Sequence, residues 1–228
     1  MDRTLETAKA SIINALNDFD VGLGRRAFEV LSDERRLNIV EVDKAKTSMM
    51  ACRPAGITID DLKSMNMYIP DFADEFGEPF TQQDNPEDYA IIDFEYDGTN
   101  TSLVYLAHEL GHAIADDIQR EAGRSFRDFS EDQLEKQAYF VQKIVTHQME
   151  RNVHDDCKQG NLGGIDTLKD SFDRICQQKS ADIVFQEALS AKGAQRGRII
   201  VDLLGGGQND GALAPNLAPN AFNMIKTL

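Results

Sequence analysis

The stretch from Leu103 to Asp117, LVYLAHELGHAIADD, constrains this chain more than any other. Leu103, Leu106, Ala107, Leu110 and Ile114 recur at helical spacing, so the segment is expected to fold as a helix with one apolar stripe. His108 and His112, four residues apart, then stack on one face beside that stripe, where both imidazoles can bind a single metal ion. Glu109 follows the first histidine directly, completing the pattern HExxH. A carboxylate there can take a proton from a metal-bound water whose pKa the metal has lowered toward neutrality, leaving a hydroxide-like nucleophile. The expectation is a Zn²⁺ site with His108 and His112 as ligands and Glu109 as general base. The competing reading, two buried or solvated histidines, leaves their placement beside an apolar helical stripe without a reason.

A chain of 228 residues is long enough to bury a proper core without covalent staples. Its three cysteines, Cys52, Cys157 and Cys176, are odd in number, widely spaced and free of any CxxC pair. They fit neither a disulfide framework nor a cysteine zinc site, and a reducing compartment suits them best. Cys52 and Cys176 read as buried apolar residues. The N-terminal MDRTLETAKASIINALNDF reads as an amphipathic helix without a signal core, and no run approaches the ~18 apolar residues of a membrane span. The expectation is a protein that is cytoplasmic where it is made, without signal peptide or membrane segment; any export would take a non-classical route. A formal charge of -15, from 39 acidic against 24 basic residues, argues against nucleic acid as a partner, because phosphate binding needs a cationic surface. The acidity otherwise reads as an ordinary solubilising surface, with a preference for basic or neutral peptides as the alternative.

Residues 4 to about 51 carry a helical pattern, with Leu5, Ala8, Ile12, Leu16 and Phe19 on one face, a break at Gly22 and Gly24, and a second helix from about Asp33 to Met50. Thr58 and Asp61 predict the start of a short helix running to about Met67, and the Pro-, Gly- and Asp-rich stretch 69–86 reads as loop. Tyr89 to Tyr96 alternates and is the best strand candidate, after which Asp97-Gly98 turns the chain into the HExxH helix. Asn100, Thr101 or Ser102 is expected to cap that helix and Gly123 to stop it. Further helices are expected from Glu131 to about Arg151, Ile165 to Lys179, Ala181 to Ala191 and Gln195 to Leu204. The segment 205–228 holds three consecutive glycines and a tandem LAPN, and reads as an irregular tail. The fold class is therefore mainly α with a small β element before the HExxH helix: 1–88 as an N-terminal helical part, 89–204 as the core, and 205–228 as a Gly/Asn/Pro-rich segment.

Catalytic zinc commonly takes three protein ligands and leaves a fourth position open. Glu131 and Glu135 share a face of the next helix, a face that Tyr139, Gln142 and Thr146 continue, and either acid is within reach of the metal by this reckoning. Asp116 and Asp117, just behind His112, are expected to orient an imidazole from outside the ligand set. Tyr105, Tyr139, His147 and His154 are the candidates for stabilising an oxyanion.

The run YAIIDFEYDGTNTSLVYLAHELGHAI, followed by ExxAxFV beginning at Glu135, resembles the oligoendopeptidase F and thimet oligopeptidase group of zinc peptidases. The ImmA/IrrE-like peptidases carry a similar second helix after HELGH. The resemblance spans about Tyr89 to Val145. It implies a compact, zincin-like catalytic domain, zinc held by His108, His112 and Glu135, and Glu109 as base. That group usually has a further histidine where this chain has Ala115, and its members are much longer, with a deep channel that restricts access to short peptides. The expectation is accordingly a gluzincin-type metalloprotease, a hydrolase of peptide bonds with an open cleft selective for one protein target. The alternatives are an oligopeptidase of short peptides, a zinc hydrolase of another amide, and a non-catalytic zinc-binding module.

Overall fold

The computed structural model describes residues 4–41, 51–64, 72–73, 79–80, 89–94, 96–156 and 172–205. The chain is mainly helical with a small three-stranded sheet. Helix α1, Leu5–Phe19, begins where the Thr4 side chain accepts from the Thr7 N–H at 3.3 Å. It buries Ala8, Ile12, Ala15, Leu16 and Phe19, the face its periodicity predicts. Asp20 ends α1 and caps α2, Val21–Ser32, accepting from the Leu23 N–H at 3.1 Å. Gly22 and Gly24 therefore lie inside a helix rather than breaking one. The reason is packing, since a Cβ on Gly24 would stand 2.4 Å from the Asn17 Cα, and only glycine lets the two helices meet this closely at a one-residue corner.

The helix expected from Asp33 to Met50 is corrected: the chain instead turns at Asp33 and enters strand β1, Leu37–Glu41, while residues 42–50 lie outside the described residues. Leu37, Ile39 and Val40 suit a strand as well as a helix, and pairing decides between them. Strand β1 runs parallel to β5, Ala90–Phe94, with Ile39 beside Ile92. Strand β2, Ala51–Arg53, joins the other edge of β5 antiparallel, with Cys52 opposite Ile92, giving the order β1-β5-β2. The short helix capped by Thr58 and Asp61 is α3, Ile59–Ser64. Within the stretch expected to be loop, β3, Phe72–Ala73, pairs antiparallel with β4, Pro79–Phe80.

The alternation expected around β5 is present, Ala90, Ile92 and Phe94 being buried. Behind it, Gly98 at φ 79° turns the chain into α4, Asn100–Glu121, which carries HExxH. The cap is Thr99, one residue before the three expected: its side chain accepts from the Ser102 N–H at 3.1 Å. Asp97 takes the Thr99 N–H and hydroxyl, which fixes that residue in an extended conformation and delays the helix to Asn100. Helix α4 ends at the expected stop, with Gly123 at φ 71°. Its C-terminal turn is tied to the N-terminal elements by the buried Arg26, whose guanidinium donates to Asp117 at 2.7 Å and to both oxygens of Glu121.

Helix α5, Glu131–Asp156, packs along α4 and buries Ala138, Phe140, Val141, Ile144 and Val145. The two helices expected over Ile165–Lys179 and Ala181–Ala191 are one helix where described, α6, Phe172–Ser190, for nothing in Lys179-Ser180-Ala181 breaks it. Its Phe185 stacks on Phe19 at 5.7 Å between ring centroids. Helix α7, Ala194–Leu204, closes the described chain; the carbonyls of Leu203 and Leu204 accept from the buried amides of Gln137 and Gln119. The tail from 206 and the residues 157–171 lie outside the described residues. Among the described residues, no helix is long and apolar enough to cross a membrane.

Candidate metal centre

Two of the candidate ligands lie on α4 and the third on α5, so the site depends on how closely these helices approach. Gly111, the glycine of HELGH, sets that approach: a Cβ there would stand 2.7 Å from the Ala138 Cα and 3.0 Å from its carbonyl oxygen. Its missing side chain lets α5 lie against α4, and Ala138 is three residues from Glu135 on α5. The glycine was visible in the motif, but its meaning depends on a partner helix that the motif does not contain.

Glu135 faces both histidines, with one carboxylate oxygen 3.4 Å from His108 Nε2 and the other 3.4 Å from His112 Nε2. One ligand atom from each of the three residues lies within 4.8 Å of the others. Donors about 2.1 Å from a tetrahedral zinc ion lie about 3.4 Å apart, so the three side chains are near enough to share one ion, with Glu135 presenting a separate oxygen to each imidazole. Two imidazoles and one carboxylate are also the donor set zinc accepts in open sites. All three residues are half-buried, leaving one side of the cluster within reach of solvent. Burial pushes the Glu135 carboxyl up, but the two imidazoles beside it outweigh burial and hold it below the usual carboxylate range. It stands ready as an anionic ligand.

Glu109 sits on the buried side of the cluster, and its Oε2 accepts from the backbone N–H of Cys52 at 2.7 Å. That N–H is therefore turned to α4 rather than to β5, and β2 becomes the wall beside the carboxylate. Burial pushes the Glu109 carboxyl up to about 7, against the pull of His108 and of the Cys52 N–H; the negative charge of Glu135 adds to the rise. A carboxyl balanced near neutrality can both take and return a proton. The Cys52 thiol is buried, as its sequence context suggested, and burial together with the charge of Glu109 pushes it well above the ordinary range, so it stays a thiol.

Glu131, the other candidate ligand, is exposed at the start of α5 and outside the cluster. Asp116 and Asp117 do not orient an imidazole in the way expected of them. Asp116 accepts from Arg120 at 3.0 Å and from the Ala55 N–H at 3.3 Å, and Asp117 is taken up by Arg26 and Arg36. Arginines from α2 and from the turn before β1 reach Asp117, and a sequence window around the motif cannot display them. The imidazole is held instead by Gln142, whose Oε1 lies 3.0 Å from His108 Nδ1. Tyr139, one turn earlier on α5, sets its ring edge-on to His108 at 4.7 Å. Of the other oxyanion candidates, Tyr105 packs against the core and His147 lies against Phe185 on α6 at 5.4 Å. The His154 side chain and that of Cys176 lie outside the described residues, as does Cys157. Ala115 is buried in the core, which leaves no room there for a further histidine.

A scan against protein-family models found no match, and neither the curated proteins nor the solved structures gave one.

Proposed function

We propose that this chain is a zinc-dependent endopeptidase of gluzincin type, hydrolysing peptide bonds in a cleft between α4 and α5. The observation that carries the reading is the cluster itself: one ligand atom each of His108, His112 and Glu135 lies within 4.8 Å of the others, and the buried carboxyl of Glu109 stands next to the first of them. Zinc, when bound, supplies Lewis acidity, which lowers the pKa of water toward neutrality and polarises an amide carbonyl.

The rest falls to the protein. Glu135 would bring one negative charge to a bound Zn²⁺ and the two neutral imidazoles none, so the set would leave the ion its Lewis acidity. Glu109 takes the proton of the attacking water on one carboxylate oxygen while the Cys52 N–H steadies the other. It then returns that proton to the departing amine, an exchange favoured by a pKa near working pH.

The test is mass-spectrometric mapping of cuts in an unbiased mixture of peptides and proteins by zinc-loaded wild type, with Glu109→Gln as control. Cuts present in wild type and missing from the control support the proposal. A protein that binds one zinc per chain and makes no cuts, or makes them equally in both forms, overturns it.

A further inference from the structure

Three residues of one stripe on α5 address His108. Glu135 faces its Nε2, the Tyr139 ring crosses the imidazole at 4.7 Å between centroids, and Gln142 meets its Nδ1 at 3.0 Å. Their spacing of four and three residues places them on one face, a turn apart. Among the described residues, His112 has no hydrogen-bond partner at its Nδ1, so the two histidines are held unequally.

We infer that Gln142 is a positioning residue that fixes the tautomer and ring plane of His108 and thereby sets zinc affinity. The inference rests on the zinc reading given above. A metal ligand must offer a lone pair, so a His108 that binds through Nε2 carries its proton on Nδ1. Nδ1 is then a donor, and the partner 3.0 Å away must present an acceptor, which the amide oxygen of Gln142 does. The same contact stops the ring from turning about its Cβ–Cγ bond, with the Tyr139 ring at 4.7 Å on one side. Such outer partners of a ligating histidine are worth about 10–100-fold in metal affinity. That the acceptor is neutral matters as well. A carboxylate in its place would raise the basicity of the imidazole, tightening zinc and lessening its Lewis acidity, whereas an amide fixes the ring and leaves the charge of the centre unchanged.

The experiment measures zinc affinity by competition with a chromophoric chelator for wild type, Gln142→Leu and Gln142→Glu. Thermal unfolding of each zinc-free protein and long-range proton–nitrogen correlation spectra of the His108 ring accompany it. The expected result has Gln142→Leu losing about 10–100-fold in affinity with an unchanged zinc-free midpoint. Gln142→Glu is expected to bind zinc at least as tightly as wild type. Zinc-loaded wild type is expected to show an Nδ1–H of His108 protected from exchange by Gln142, and Gln142→Leu to show that proton exchanging freely. Wild-type affinity in Gln142→Leu overturns the inference while leaving the zinc reading intact. A freely exchanging Nδ1–H in zinc-loaded wild type does so without any variant having to fold. A wild type that takes up no stoichiometric zinc overturns both.

Discussion

Replacing Gly111 with alanine probes whether the α4–α5 crossing builds the centre. The new Cβ would meet the Ala138 Cα at 2.7 Å, the Ala138 carbonyl oxygen at 3.0 Å and Val141 Cβ at 3.1 Å. Ordinary contact begins at 3.4 Å, so α5 must retreat by about 0.7 Å at the crossing, because the nearest atoms are backbone and cannot swing aside. A ligand constellation tolerates about 0.5 Å before it loosens. Glu135, one turn from Ala138, would therefore leave its place between the histidines. Overpacking of this kind costs about 1–3 kcal/mol, and exchanging a mid-helix glycine for alanine returns about 1 kcal/mol of helix propensity. The net loss of stability is then about 0–2 kcal/mol, while zinc affinity falls at least tenfold.

Gly197 on α7 supplies the control, since a Cβ there meets nothing within 4 Å. Gly197→Ala should gain about 1 kcal/mol and bind zinc as wild type does. Denaturant unfolding of the zinc-free proteins and chelator competition measure both quantities. If Gly111→Ala is stabilised as much as Gly197→Ala and keeps wild-type zinc affinity, the crossing does not build the site and the reasoning fails.

Glu109→Gln is expected to keep stoichiometric zinc while peptide turnover falls by about 10²–10⁴-fold, read by metal analysis and cleavage assay. The same carboxyl leaves a mark on the zinc-free protein. Its folded pKa of about 7 lies above the ordinary 4.5, so its contribution to stability is complete below pH 4.5 and is lost as pH rises through 7. The loss is about 3 kcal/mol in wild type and should be missing from Glu109→Gln in unfolding curves collected across that window. Arg26→Met removes a charged hydrogen bond to the buried Asp117, which keeps Arg36 at 3.0 Å and Arg120 at 3.5 Å, and should cost about 2 kcal/mol in denaturant unfolding. Zinc at 100-fold over its dissociation constant should stabilise wild type by about 2.7 kcal/mol, and Glu135→Ala should show a much smaller gain at the same concentration.

The HExxH helix was legible because its information is local: periodic apolar residues, two histidines at helical spacing, and a glycine to stop it. Glu135 came within reach the same way, as one of two acids on the next helix, and the resemblance singled it out. Strand β1 was misread because Leu37, Ile39 and Val40 satisfy either period, and the deciding partner, β5, lies some fifty residues later. Gly22 and Gly24 were misread as breakers because glycine in a sequence signals flexibility, whereas both lie inside α2 and Gly24 marks contact with the backbone of Asn17. Asp116 and Asp117 were assigned to the metal because they are its neighbours in sequence, yet charges from α2 and the turn before β1 capture Asp117.

These misreadings share a physical origin, and it bears on how the centre works. Each concerns a residue whose role is fixed by a second element, and the candidate centre is assembled at such a junction. Helix α4 alone presents His108, Glu109 and His112, which is enough to be recognised. Three groups from other elements change what those side chains can do. Glu135 completes the donor set, Gln142 meets the Nδ1 of His108, and the Cys52 N–H holds one oxygen of Glu109 while burial raises its pKa. Two of the three ride on α5 and depend on the absent side chain of Gly111; the third rides on β2 and depends on pairing with β5. The motif alone presents three side chains of one helix, and the packing of α5 and β2 against α4 brings to them the third candidate ligand, the partner of His108 and the partner of Glu109.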